Sequence, residues 1–319
     1  MKKNDDENAI NIAVIGGGTW GRALAFGFSQ KNNVGIVSRR ELSLLKTYDS
    51  HKVRQISLDK ALECKYIIIA IKSEAMREWL KNVNFKRESI VLVASKGIEI
   101  SSGAFMCDIF KEYFPNLNIG YLMGPSFATE VLKGMPCALN IHTKKQKEVE
   151  DIANIFPSFM KIYFDNDVIG GEVGGAYKNI IAIAGGISDG LVLGNNAKAS
   201  MIARGLVEMC RFGMFFGAKE STFLGLSGAG DLFLSANSIL SRNYRVGYAL
   251  AQNKSLKTIL EELGEIAEGV LSTQAVEKLA TKHNIYTPIA KQVHQILQGK
   301  SPKESVKELL GNDVDLKKF

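Results

Sequence analysis

Cysteine and histidine are both scarce: 319 residues contain four of each. The cysteines (Cys64, Cys107, Cys137, Cys210) are scattered, with no CxxC pair. That argues against a disulfide framework and against a zinc site, and they read as reduced, buried small hydrophobes. The histidines (His51, His142, His283, His294) fall in no glycine-rich or motif-like stretch, so a histidine acid–base centre has no visible seed. No apolar run reaches the length of a membrane span, because glycines and charges interrupt each one. The opening MKKNDDENA lacks the apolar core of an export signal. The expectation from these absences is a cytoplasmic protein.

Acidic residues are outnumbered, 33 against 40 basic, which leaves a net charge of +7. Such an excess suits nucleic acid, a membrane surface or small anions. The basic residues form no long block, however. The densest run, KKQKE at 144–148, lies among glutamates and reads as a solvated loop or helix start. Phosphorylated small molecules are therefore the better partner class.

Apolar residues make up 46% of the chain, enough for a full core, and the length suits two domains. Up to about residue 165, short apolar runs alternate with segments of helical length. NIAVIG (11–16), VGIVS (34–38), YIIIAI (66–71), IVLVAS (90–95), NIGYLM (118–123) and CALNIH (137–142) are strand-like. Several are apolar throughout, as strands covered on both faces must be, and the alternation predicts a parallel, doubly wound sheet. After about residue 167 the rhythm stops. Helices are expected at 172–190, 197–217, 231–240, 244–251, 257–263, 271–283 and 287–298.

The first strand runs into GGGTWG, where Gly16, Gly18 and Gly21 give the spacing G-x-G-x-x-G, and a helical segment, RALAFGFSQ, follows. The first glycine allows a tight turn, the second lets backbone approach a pyrophosphate, and the third lets helix pack closely on strand. Strand, turn and helix in that order supply the context that a dinucleotide-binding loop requires. A carboxylate at the end of the second strand would favour NAD. This chain has IVSRR there, and Arg39 with Arg40 matches the geometry of a 2′-phosphate, although Glu41 follows directly. The expectation is a preference for NADP(H), with NAD(H) also possible. Two solvent-facing arginines in a surface turn are the competing reading.

In EVGGAYKNIIAIAGGISDG (172–190) a lysine, Lys178, interrupts a helix otherwise fit for burial. Steps of three and four from it meet Gly171, Gly174, Gly175, Ala182, Gly185 and Gly186. Each helical glycine costs about 1 kcal/mol relative to alanine, so another helix or a ligand must come close to that face. Lys178 would then be enclosed rather than snorkelling, with a lowered pKa suited to proton transfer.

Four segments together carry a family resemblance: GGAYKNIIAIAGGISDGL continuing to GNNAKASMIARGLVEM, then GPSFATE, GLSGAGDLFLSANSILSRN and SKGIE. Over nearly the whole length and in the same order, the chain resembles the bacterial type of NAD(P)-dependent glycerol-3-phosphate dehydrogenase. The resemblance implies reversible reduction of dihydroxyacetone phosphate to sn-glycerol 3-phosphate, the backbone precursor of glycerophospholipids. It also implies a Rossmann-type domain over residues 1–167, an all-helical substrate-binding and catalytic domain over 168–319, and a homodimer. No metal is implied.

Residue by residue, Lys178 matches the family's proton donor and acceptor, with Asn179 beside it in the same motif and Asp231 as the acid partnering the lysine. Lys96 matches a lysine reaching both substrate and nicotinamide. Gly124 and Ser126 match substrate contacts and Ala128 a cofactor contact. Ser241, Arg242 and Asn243 match the phosphate-binding segment, with Arg242 its main anchor and a cofactor contact as well. Thr19 and Trp20 stand where the cofactor loop often has Ser-Trp, and Ile266 and Glu268 match a late cofactor contact. The departures are Thr for Ser at 19, Ile for Val at 266, and Gly-Arg-Ala for Gly-Thr-Ala at 21–23.

Each residue also has a plainer role open to it. Lys96 follows a strand and would ordinarily be solvated; Asp231 would serve as a helix N-cap. The SRN segment would be an ordinary helix end, and Glu268 a surface carboxylate. Two other functions share parts of the pattern. A related dehydrogenase acting on a 3-hydroxy acid or a sugar acid would have the glycine loop and a helix lysine, without needing the SRN anchor. A non-catalytic dinucleotide sensor would need neither lysine nor anchor.

Overall fold

The computed structural model describes residues 9–42, 52–264 and 267–311. Contacts divide the chain into two compact units: Met1–Ser95 with Met106–Val168, and Lys96–Phe105 with Ile169–Phe319. Expected site residue Ile266 lies outside the described residues. Among the described residues, no helix is long and apolar enough to cross a membrane.

The first unit is built on an eight-stranded sheet. Its strands are β1 (Ile12–Ile15), β2 (Val34–Val37), β3 (Val53–Gln55), β4 (Tyr66–Ile69), β5 (Ile90–Val93), β6 (Asn118–Met123), β7 (Cys137–His142) and β8 (Met160–Asp165). The order across the sheet is β3-β2-β1-β4-β5-β6-β7-β8. Central strands β1 and β5 are buried at every position, which is why they read as unbroken apolar runs. The order reverses between β1 and β4, and the loop after β1 opens there, at the carboxyl ends of the strands. Helix Thr19–Ser29 buries Ala23, Leu24 and Phe28 in the same core as Ile36, Ile68 and Leu92.

Two expectations need correction. The sheet is not wholly parallel: β7 runs antiparallel to β6, with Tyr121 opposite His142, while β7 and β8 pair in parallel. Antiparallel neighbours need no crossover helix, so the chain can turn back through 124–136. The sheet also has two strands that the apolar runs did not mark. β3 (VRQ) buries only its first residue, and β8 (MKIYFD) is only partly buried, as edge strands with one neighbour are.

The second unit is helical. The lysine helix spans Val168–Gly190 and begins four residues before the expected start. The expected helix over 231–240 stops early, as Asp231–Ala236, and Ser241 then caps a new helix, Arg242–Ala251, by accepting from Tyr244 N–H. Helix Pro302–Leu310, with proline in its first turn, was not expected.

The glycines of the lysine helix are explained by close backbone packing. A Cβ on Gly174 would lie 2.2 Å from Ser227 O, on Gly185 2.5 Å from Ala236 O, and on Gly186 2.0 Å from Tyr244 O. From the opposite side, a Cβ on Gly247 would lie 1.9 Å from Ile183 O. Backbone meets backbone here, so another helix, not a ligand, accounts for these small residues.

Next to Lys178, Tyr177 is fully buried and donates its hydroxyl to Glu208 at 2.7 Å. Glu208 also accepts the Ile289 and Ala290 N–H groups, both at 2.8 Å, and so completes the start of helix Pro288–Leu297. Burial raises its pKa to about 7 against the pull of those donors.

Packing sets the sign of one substitution. Gly247→Ala would gain about 1 kcal/mol from helix propensity alone, yet its Cβ collides with Ile183 O. Overpacking of this kind costs about 1–3 kcal/mol. We expect a lower Tm and denaturation midpoint for the variant; a rise in either would show that the helices can part at no cost.

Candidate functional site

In the first unit the three glycines of the loop meet three different demands. Gly16 has φ +127°, and a Cβ there would lie 2.3 Å from Ala70 O on the neighbouring strand's exit. A Cβ on Gly21 would lie 1.9 Å from Gly16 O, so only glycine lets the helix come down on the turn. Gly18, alone among the loop glycines, has open space around the Cβ position, where something else can approach the backbone. It precedes helix Thr19–Ser29, which has no side-chain cap and no acidic residue in its first turn. Uncapped N–H groups facing an open approach fit a pyrophosphate. Thr19 starts this helix, and Trp20 packs half-buried against the core of the unit.

Arg39 and Arg40 are exposed, in a turn directly after β2. On the loop after β6, Gly124 takes φ +117°, Ser126 donates its hydroxyl to Gly124 O at 3.3 Å, and Ala128 begins the short helix Ala128–Val131.

In the second unit the structure brings Lys96, Lys178 and Asp231 together. Lys178 Nζ donates to Asp231 Oδ1 at 2.6 Å and Lys96 Nζ to Asp231 Oδ2, also at 2.6 Å. The lysine side chains are 12% and 14% exposed and the aspartate 2%. Lys178 therefore does not snorkel; it is enclosed and paired. Nor does Asp231 act as an N-cap, since Gly230 holds that position. A single π-helical turn, Leu226–Gly230, closes with Gly230 N–H on Gly225 O at 3.1 Å and delivers Asp231 directly after it.

Lys96 reaches this centre on a segment tied to the helices. Within it Gly103 N–H donates to Glu99 O at 2.8 Å, and Lys278 Nζ donates to Ile100 O at 3.1 Å and Ser101 O at 2.5 Å. Phe105 packs edge-on against Phe216 with ring centroids 5.3 Å apart.

Ser235 belongs to the same cluster and went unnoticed in the sequence. Lys178 Nζ donates to its Oγ at 2.9 Å. The signal was the spacing: Ser235 follows Asp231 by four residues, which puts both on one face of helix Asp231–Ala236.

Asn179 and Asn243 are occupied differently. The Asn179 amide donates to Gly175 O at 3.2 Å, and its Oδ1 accepts from Asn243 Nδ2 at 2.9 Å. Asn243 Oδ1 accepts from Gly269 N–H at 2.9 Å. The two amides link the lysine helix, helix Arg242–Ala251 and the first turn of helix Glu268–His283. Arg242, half-buried, is the first residue of its helix, directly after the cap Ser241. Ser241 uses its oxygen as an acceptor, which leaves its hydroxyl proton to donate. Glu268 is exposed at the start of its own helix.

Two ammonium groups share one carboxylate in a nearly closed setting, and the Glu268 carboxylate adds a weaker pull on Lys178. Burial lowers the Lys178 pKa and Lys96 lowers it further, while Asp231 opposes both; the net shift is downward. Burial alone would raise the Asp231 pKa, but the two ammonium groups overcome it and hold the carboxyl below its usual range. The result is a lysine of reduced basicity held beside a fixed anion.

A doubly wound sheet with a pyrophosphate-fitting turn, joined in one chain to a helical unit with a buried lysine–carboxylate–lysine centre, defines a class of dinucleotide-dependent oxidoreductases. Comparison narrows the class. The family model described as NAD-dependent glycerol-3-phosphate dehydrogenase N-terminus matches residues 11–149, and that of the C-terminus matches 167–308. The glycerol-3-phosphate dehydrogenase [NAD(P)+] of Helicobacter pylori strain P12 is 54% identical over 309 residues, covering 94% of this chain and 99% of the relative. The enzyme of the same name from Bartonella bacilliformis is 53% identical with the same coverage. The crystal structure of glycerol-3-phosphate dehydrogenase from Coxiella burnetii superposes with a TM-score of 0.88 at 32% identity, covering 94% of this chain and 98% of that one. The chain belongs to the NAD-dependent glycerol-3-phosphate dehydrogenase family.

The electrostatics can be checked without an assay. An NMR pH titration of the lysine ε-carbons should show Lys178 titrating below the ordinary lysine range. Asp231→Asn should move it lower still, because the group that raises it most is gone and only the weaker pull of Glu268 remains. A Lys178 titration at the ordinary position, or one moved up by the substitution, would contradict this account of the cluster.

Proposed function

We propose that the chain reduces dihydroxyacetone phosphate to sn-glycerol 3-phosphate with NAD(P)H, reversibly, with Lys178 as proton donor and acceptor, and so supplies glycerophospholipid synthesis. The observation that carries this reading is the lysine itself, held by Asp231 at 2.6 Å and Ser235 at 2.9 Å in a chain of this family. A bound dihydronicotinamide supplies the hydride. What the chain must provide is a grip on the two ligands and a proton at the ketone oxygen.

The loop Gly16–Gly21 with Thr19 and Trp20 holds the pyrophosphate side of the cofactor, and Arg39 with Arg40 holds a 2′-phosphate. By resemblance, Lys96, Ala128, Arg242, Ile266 and Glu268 complete the cofactor contacts. Arg242 and Ser241, at an N-terminal helix end, grip the substrate phosphate and fix the ketone in place. Gly124 and Ser126 add substrate contacts, and Lys96 orients the substrate oxygens. Lys178 donates its proton to the oxygen as negative charge develops there. Asp231 keeps the lysine protonated between turnovers, and its lowered pKa makes the transfer easier than from an ordinary ammonium group. Asn179 and Asn243, bonded to each other, hold the lysine helix and the phosphate helix in register.

The preference for NADP(H) rests on the arginine turn, and NAD(H) is accepted because the same guanidiniums are solvated when no phosphate is present. A cytoplasmic homodimer completes the proposal. Its support is the exposed apolar face of helix Asn195–Phe215, where Val207 and Met214 lie two turns apart.

The reading is tested by following NADPH and NADH oxidation separately with dihydroxyacetone phosphate. Turnover is expected with both cofactors, with the lower KM for NADPH. Turnover of 3-hydroxy or sugar acids in its place would transfer the chain to the related dehydrogenases, and no turnover with bound NADPH would leave a sensor.

Arg242→Ala isolates the phosphate grip. A charge-assisted hydrogen bond contributes about 1.5–3 kcal/mol, so KM for dihydroxyacetone phosphate should rise roughly 10–150-fold. Unphosphorylated dihydroxyacetone, a poor substrate, should be little affected. Equal losses on both compounds would make the arginine a structural residue.

A further inference from the structure

The turn that carries Arg39 and Arg40 is held by groups that dinucleotide binding in general does not call for. Its first residue, Ser38, is pressed onto the glycine loop. A Cβ on Gly17 would lie 2.5 Å from Ser38 Oγ and 2.6 Å from Ser38 Cβ. Gly17 stands outside the G-x-G-x-x-G spacing, and the seat it makes for Ser38 is the reason for a third consecutive glycine. Within the turn, Arg40 N–H donates to Ser38 Oγ at 3.2 Å.

The other side of the turn is held by Gln55, the last residue of edge strand β3. Its Nε2 donates to Ser38 O at 3.2 Å and to Arg40 O at 3.1 Å. Its Oε1 accepts from Leu42 N–H at 3.1 Å. A primary amide has two N–H donors and a carbonyl acceptor, and here each is used on the backbone of residues 38–42. The pattern also fixes which way the amide faces, since two carbonyls demand donors and one N–H demands an acceptor. These bonds bracket Arg39 and clamp Arg40.

We propose that Gln55 is a positioning residue for cofactor choice: it holds the backbone of the arginine turn in the conformation that receives a 2′-phosphate, without touching the cofactor itself. The inference rests on the NADP(H) reading of Arg39 and Arg40. A turn that samples several conformations binds its ligand more weakly, in proportion to the fraction of time it spends competent. NADH makes no demand on the two guanidiniums, so its binding is indifferent to that fraction. Gln55 thus acts on one cofactor and not the other. An amide that merely stabilised an exposed loop would act on both or on neither.

The experiment compares wild type with Gln55→Met, which keeps the length and adds no charge, and with Gln55→Leu as a second neutral variant. Arg39→Ser/Arg40→Ser and the combination with Gln55→Met complete the set. The expected result is a KM for NADPH raised roughly 3–10-fold by either Gln55 variant, the scale of one or two lost neutral hydrogen bonds. KM for NADH, kcat with either cofactor and Tm should stay at wild-type values. In the arginine-free background Gln55→Met should add nothing, because the coupling runs through those side chains. Equal rises in KM for both cofactors, or no change in either while the arginine variant still raises KM for NADPH, would overturn the role of Gln55 and leave the arginine reading standing. If the arginine variant itself leaves KM for NADPH unchanged, the reading on which the inference rests fails, whatever Gln55 does.

Discussion

One carboxylate organises the chemistry of the second unit. Asp231 takes an ammonium on each oxygen, from Lys178 and from Lys96, with almost no exposure to water. Removing one partner from a buried pair of this kind costs about 3–5 kcal/mol, because the other charge is left desolvated. Three charges cannot be moved independently under such conditions. They set the position of the lysine helix, the π-helical turn before Asp231 and the segment that brings Lys96 in from the strand side of the sequence.

Glycine is the second constraint, and it works differently in the two units. In the loop after β1, Gly16 supplies a backbone angle, Gly21 a close contact and Gly18 an open approach. In the helices the same residue supplies only thinness. Gly174, Gly185, Gly186 and Gly247 bring helical backbones within a distance that any Cβ would forbid. That approach carries the lysine helix near enough to the Asp231 turn for a salt bridge of 2.6 Å. A lysine on a wider-spaced helix would reach past the aspartate or out to solvent. The helix therefore gives up propensity along much of its length to place one ammonium group.

Those features that act through local sequence were legible in it. The glycine loop announces itself because strand, turn and helix are contiguous, and Lys178 stands out as the one positive charge on an apolar helix. The central strands read as apolar because both their faces are covered. What the sequence concealed depends on neighbours distant along the chain. β3 and β8 lie at the sheet edges, where partial exposure breaks up the apolar run. The antiparallel step at β7 is decided by how the chain turns after β6, which no strand pattern encodes. Asn179 and Asn243 look like ligand contacts in a motif, yet their side chains are bonded across 64 residues to each other. Ser235 and Gln55 were invisible for a related reason: a hydroxyl and an amide acquire meaning only from what they touch.

The lysine helix also lies between two buried carboxyl groups with opposite tendencies. Lys178 faces Asp231, and its neighbour Tyr177, about 100° further round the helix, faces Glu208. Burial drives both carboxyl pKa values upward, and the partners decide the outcome. Asp231 has two full positive charges against it and ends below its ordinary value of 3.8. Glu208 has a phenol, two peptide N–H groups and only a minor pull from the Arg211 guanidinium, and ends above 4.5, at about 7. Through linkage the signs differ. Stability contributed by the depressed Asp231 is present above the ordinary carboxylate range and lost as pH falls through its folded pKa. Stability from the raised Glu208 is fully present below 4.5 and is lost as pH rises through about 7. Acid therefore attacks the lysine side of the helix and alkali the tyrosine side, and Asp231 belongs to the side that is secure at neutral pH.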